Sequence, residues 1–275
     1  MTRLLFTGLT CCLVLAGSSP LTAANFKVTL SSIKVEARPG QVLTRHLQLT
    51  LDQDQLPTQF KVHVEDWWRS EDGTQSFYAE PGRLKRSCAT WVSMNPVEVA
   101  VEPGAMLTIR VTISVPADLP PGGYWCALTI DEVPNPRTTP PDVSVQFFAS
   151  ASTGVFVYVD PVERAARILD VMIDDQSATI KVQNDGNAPL GVEGRFEFLR
   201  SGDEQPVAVA TLPRGTLLPE PITVGAFRAA LPDAAALPSG RYLVRAIIDI
   251  GLDHYIGVQR ELDVRREPLA QPRAP

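Results

Sequence analysis

VPADLPPGGYWCALTID, residues Val115 to Asp131, reads as a corner followed by a strand. Pro116, Pro120 and Pro121 exclude helix and fix φ along an extended approach. Gly122 and Gly123 permit backbone angles that other residues resist. Tyr124, Cys126, Leu128 and Ile130 then alternate with Trp125, Ala127 and Thr129, the period of a strand. A Tyr just past such a turn, two residues ahead of a Cys, is placed for a tyrosine corner. Its hydroxyl ties back to the loop while its ring enters a core.

The device recurs in LPDAAALPSGRYLVRAIID, Leu231 to Asp249. Pro238, Gly240 and Tyr242 repeat Pro121, Gly123 and Tyr124 with one residue inserted, and Asp249 falls where Asp131 does. The two tyrosines stand about 118 residues apart, the length of one sandwich domain. The fold class expected is therefore all-β, two immunoglobulin-like β-sandwich domains in tandem. The boundaries read as a signal segment 1–24, a first sandwich 25–161, a second 162–265 and a Pro/Ala tail 266–275 without order.

The signal segment rests on Arg3, the apolar run Leu4 to Gly17 and the small residues Thr22, Ala23 and Ala24, with cleavage after Ala24. No other stretch approaches the roughly 20 apolar residues of a bilayer span. The sequence holds 25 Lys and Arg against 31 Asp and Glu, a net −6; losing Arg3 leaves 24 against 31, or −7. Neither the charge nor any basic stripe suits nucleic acid. Export to a periplasmic or secreted location follows, and in an oxidising compartment Cys88 and Cys126 read as a disulfide pair.

In the first domain Leu107 to Val115 alternates apolar with polar residues, as a half-solvated strand does. Phe60 to Trp68 and Cys88 to Met94 read as further strands. Val143 to Val159, VSVQFFASASTGVFVYV, is one long, uncharged strand in which Gly154 marks a bulge or a change of sheet. In the second domain the Asn184-Asp185-Gly186-Asn187 run is a strong turn. Glu163 to Ile168 has the composition of a single helical turn.

Chemistry is sparse. His46, His63 and His254 stand in no metal-ligand or triad spacing, so the expectation is no catalytic residue, no metal and no cofactor. Acidic pairs at strand ends, such as Asp131-Glu132 and Asp174-Asp175, are the only support for a hydrolase. Trp67, Trp68, Trp91 and Trp125 support a sugar-stacking platform, though alternation turns some of them into the core.

The first alternating strand, the PVEVAVEPGAMLTIRV pattern in the run up to Val115, and the late strand ending in VYVDP resemble PapD-like periplasmic pilus-assembly chaperones. The resemblance implies a non-enzymatic protein that holds a pilin-like client subunit by strand addition and hands it to an outer-membrane usher. It implies a client-binding strand whose alternating members here are Val143, Val145, Phe147, Ala149 and Ala151. It also implies two cations that anchor the client's terminal carboxylate. At the matching places, Ser32 and Val155, this sequence has none; Lys34 and Lys27 are the nearest. TWVSMNP and VPADLPPGGYWCAL are also similar to secreted surface proteins that bind WxL-domain partners and peptidoglycan. That keeps a cell-envelope module for glycan, peptidoglycan or a surface protein as the alternative.

Overall fold

The computed structural model describes residues 24–133, 148–233 and 235–265. The signal segment (save Ala24), the tail, and Val143, Val145 and Phe147 of the client-binding strand lie outside them.

The first sandwich is built from β1 (Phe26–Val28), β2 (Ser32–Ala37), β3 (Val42–Leu51), β4 (Thr58–Arg69), β5 (Gln75–Tyr78), β6 (Val92–Asn95), β7 (Glu98–Val101), β8 (Met106–Ser114), β9 (Gly122–Val133) and β10 (Ser150–Val159). One sheet runs β1-β3-β8-β6; the other runs β2-β10-β9-β4-β5, with β7 also paired to β4. The second sandwich follows with β11 (Ala166–Ile173), β12 (Ser177–Asn184), β13 (Leu190–Leu199), β14 (Ala208–Leu217), β15 (Val224–Ala230), β16 (Gly240–Asp249) and β17 (Ile256–Val264). Its sheets run β11-β12-β15 and β14-β13-β16-β17. The protein is all-β with two sandwiches, each closed over its own core: Leu47, Phe60, Ile109, Cys126 and Val157 in the first, Ile180, Phe196, Phe198 and Ile248 in the second.

Tyr124 donates its hydroxyl proton to the Pro120 carbonyl at 2.7 Å, and Tyr242 to the Pro238 carbonyl at 3.0 Å. Both bonds reach back four residues. The structural equivalence is thus Pro120 with Pro238 and Gly122 with Gly240, and the one-residue insertion read from Pro121 does not exist.

Two local expectations change. Cys88 to Met94 is not one strand: Ala89–Trp91 is a 3₁₀ turn closed by the Trp91 amide on the Cys88 carbonyl, and β6 starts after it. Glu163 to Ile168 is not helical. Glu163 is held extended by hydrogen bonds to Asn187, and β11 begins at Ala166.

β4 changes partners midway. From Gln59 to Glu65 it pairs with β9; from Asp66 to Arg69 it pairs with β5. The place vacated beside β9 is filled by the 86–88 segment: the Trp125 amide donates to the Arg86 carbonyl at 3.0 Å and the Cys88 amide donates to the Trp125 carbonyl at 3.2 Å. The pivot is Asp66, fully buried, whose carboxylate accepts from the Leu84 amide (2.8 Å), the Gly82 amide (3.2 Å) and the Ser87 hydroxyl. A buried carboxylate is tolerated when such donors satisfy it.

Candidate functional site

The site begins where the chain changes sheets. β1 pairs with β3 in one sheet, and β2 pairs in parallel with β10 in the other. The crossing falls between Val28 and Ser32, so the β2–β10 register starts only at Gly154 opposite Ser32. On its other side β10 is paired with β9 from Ser150 onward. Among the described residues, no strand therefore covers the outer edge of Ser150 to Thr153.

The direction of the free groups can be read from the ladder. The Gly154 amide points toward β2, donating to the Ser31 carbonyl at 3.3 Å. Alternation turns the amides and carbonyls of Ser152 and Ser150 the same way, onto the uncovered edge. Their hydroxyls are spent within the sheet, Ser152 with Thr129 at 2.9 Å and Ser150 on Asp131 at 2.6 Å. Ala151 shares the inward face of Val155 and Val157, and Ala149 is pinned by Glu132 through two 2.9 Å bonds. Leu30 and Phe148 stand exposed near the same end of β10.

From that edge a cleft runs between the two sandwiches. Its inner lobe, a cavity of about 450 Å³, is lined by Ser32, Lys34, Arg69, Ser152, Phe156 and Arg214, among others. Among the described residues its lining holds three cations and no carboxylate. Lys34 and Arg214 also line the adjoining lobe, of about 780 Å³, where Arg45 and Arg164 face Glu36, Glu193 and Asp249. Among the described residues neither Lys34 nor Arg214 has an ion-pair partner. Arg69 donates to the carbonyls of Gly73 (2.8 Å) and Thr216 (3.4 Å). Burial lowers its pKa, yet a guanidinium stays charged. Tyr158 lies under the Arg164 guanidinium at 5.2 Å, and burial raises its phenol pKa against that cation.

Of the two lysines, Lys34 on β2 reaches the cleft; it sits opposite Phe156 in the β2–β10 register. Lys27 does not: it faces Asp52 at 3.6 Å beside the other sheet. Sequence reading missed Arg69 and Arg214. They lie on β4 and β14, 145 positions apart in the chain, and only domain packing joins them.

The outer face of this sheet is not a sugar platform. Trp125 is fully buried, with its indole N–H on the Trp67 carbonyl at 2.8 Å, and Trp67 is 5% exposed. These rings pack with Ala127 and Phe156 of their own sandwich and with Leu218 of the second, as a small core across the domain junction. Trp91 lies 4.8 Å from the Tyr124 ring. Farther out, His63 sits between Glu65 (3.3 Å) and Asp131 (3.4 Å), without a nucleophile beside it. The described residues gather no group of three or more His, Cys, Asp or Glu suited to a metal. None of their helices is long and apolar enough to cross a membrane.

The Sγ atoms of Cys88 and Cys126 are 3.0 Å apart in the core and carry no bond. Burial pushes the Cys126 thiol pKa well up, and the neighbouring Cys88 adds to it.

No family model and no curated protein matches the sequence. Among solved structures of similar fold are fimbrial chaperones and their complexes. A chain from the chaperone–tip adhesin complex of CFA/I fimbriae biogenesis is 15% identical, with TM-score 0.47 over 86% of this chain and 98% of that one. The class 5 fimbriae chaperone CfaA gives 13% and 0.45 over 89% and 100%. A chain from the Salmonella enterica SafA pilin–SafB chaperone complex gives 15% and 0.46 over 87% and 98%.

Proposed function

We propose that this protein is an exported, non-enzymatic assembly chaperone that holds a pilin-like subunit by strand addition in the periplasm and releases it to an outer-membrane usher. One observation carries the reading: among the described residues the outer edge of β10 at Ser150 to Thr153 has no partner strand and opens directly into a cleft lined by three cations and no acid. An extended client segment would lie along the edge and take its main-chain bonds from Ser150 and Ser152, extending over the stretch that holds Val143, Val145 and Phe147. Ala149 and Ala151 would present small side chains to it. The client's terminal carboxylate would rest on Lys34, Arg69 and Arg214, where charge-assisted bonds in a partly desolvated cleft are strongest. Arg214 belongs to the second sandwich, so both domains would grip one group.

In the oxidising compartment Cys88 and Cys126 would form a disulfide, the sulfurs closing by about 1 Å to reach bonding distance. Co-expression with a pilin-like subunit from the same genome tests the whole. The wild type should co-purify with it, while Lys34→Ala/Arg214→Ala and Ser152→Pro should not, each with unchanged melting. Co-purification undiminished in both variants would sink the reading.

A further inference from the structure

The two sandwiches meet where three glycines leave no room for a side chain. A Cβ on Gly123 would lie 2.4 Å from Pro189 Cδ and 2.9 Å from Ala188; one on Gly122 would lie 2.6 Å from the Asn187 carbonyl oxygen. A Cβ on Gly186 would lie 2.2 Å from the Glu163 carbonyl oxygen. Backbone therefore touches backbone across the junction.

Asn187 is the hub of these contacts. Its carbonyl accepts from the Gly123 amide at 2.9 Å, which reaches β9 of the first sandwich. Its amide donates to the Glu163 carbonyl at 3.1 Å, and its Oδ1 accepts from the Glu163 amide at 2.8 Å. Its Nδ2 donates to the Pro161 carbonyl at 3.2 Å. One residue of the β12–β13 turn thus ties together the first sandwich, the connector and the second sandwich. The side chain must accept and donate at once, which an amide does and a carboxylate or methyl does not.

A brace stands on another side of the junction. The tip of the β4–β5 hairpin reaches the second sandwich, where the Ala226 amide donates to the Glu71 carbonyl at 2.6 Å and Lys181 pairs with the Glu71 carboxylate at 2.7 Å. The aromatic cluster with Leu218 packs across the same junction.

We infer that Asn187 is a positioning residue that locks the angle between the sandwiches, so that the cleft with Lys34 and Arg214 is preformed rather than closed by its ligand. Unclasped domains in one chain move relative to each other by default; this junction suppresses that motion. Its value for capture, less ordering to be done on binding, rests on the chaperone reading; the lock itself does not.

The test places nitroxides at Val42→Cys and Tyr255→Cys, exposed at 63% and 67%, one on each domain, in a background carrying Cys11→Ser and Cys12→Ser. Buried Cys88 and Cys126 stay unlabelled. Pulsed dipolar spectroscopy should give one narrow distance for the wild-type background. Asn187→Ala and Gly123→Ala should broaden it at least about twofold, toward the free motion of loosely joined domains. Asn187→Asp, which keeps the acceptor and loses the donor, should fall between. Hydrogen exchange at the Glu163 amide should speed up in Asn187→Ala and stay slow in Asn187→Asp. A broad wild-type distribution, or variants as narrow as the wild type, would overturn the lock. Should Gly123→Ala not fold, the two Asn187 variants decide. A narrow wild type that captures no subunit would leave the lock standing and remove the chaperone reading; a broad one that captures its subunit would do the reverse.

Discussion

The two corners share their chemistry, but the strands that follow them do not share an environment. After Tyr124, every residue of β9 from Gly122 to Ile130 is buried; after Tyr242, β16 alternates between buried and half-exposed. Trp125 and Leu243 occupy equivalent outward positions, one residue past each tyrosine. Trp125 is fully covered by the junction cluster, whereas Leu243 is partly open to solvent. The same local turn thus serves an ordinary half-solvated sheet in the second domain and the floor of an interdomain junction in the first. The difference lies in what packs on the outer face, and that same face carries the cleft.

Substituting the two equivalent positions breaks the comparison most sharply. Trp125→Ala should cost about 3–5 kcal/mol in urea unfolding, against about 1 kcal/mol for Leu243→Ala. Equal costs would mean that the outer face of β9 is not a second core. Cysteine sharpens it next. The pair closes a 38-residue separation in the first sandwich, and the second sandwich has no cysteine. In oxidised protein, adding reductant should lower the stability of the first sandwich alone by about 2–4 kcal/mol. Asp66→Asn replaces one carboxylate oxygen with a donor facing donors and should cost about 2 kcal/mol, loosening the 82–88 segment in hydrogen exchange. The smallest effect is the shared one: Tyr124→Phe and Tyr242→Phe should each cost about 1 kcal/mol, because each loses a single hydrogen bond to a carbonyl four residues back.

What could be read from the chain follows the range of the interaction. The alternation in Leu107 to Val115, the Pro–Gly turns and the two tyrosines are local, and they lead to two sandwiches. That the chain crosses between sheets at Ser31-Ser32 and uncovers an edge of β10 depends on where β3 lies, which nothing local in the sequence marks. Gly122 and Gly123 read as freedom for a turn; in the fold their value is the absence of a Cβ against Asn187 to Pro189. Asn184 to Asn187 read as a turn, and its second use as a clasp needs the other domain to be present. Lys34 was within reach of a sequence argument because it stands two positions from Ser32, one of the places matching the family's anchoring cations. Arg69 and Arg214 were not, since nothing near either in sequence marks a cleft. Asp66 carried no signal in an alternating strand, because its donors come from a loop 16 to 21 residues away.

The central claim is that a client adds its strand to the open edge of β10. Hydrogen exchange read at the Ser150 and Ser152 amides, with and without a bound pilin-like subunit, tests it most directly. The account predicts fast exchange in the free protein and strong protection of both amides in the complex, with the β9-facing amide of Ala151 slow throughout. Fast exchange at Ser150 and Ser152 while the subunit is bound would contradict it.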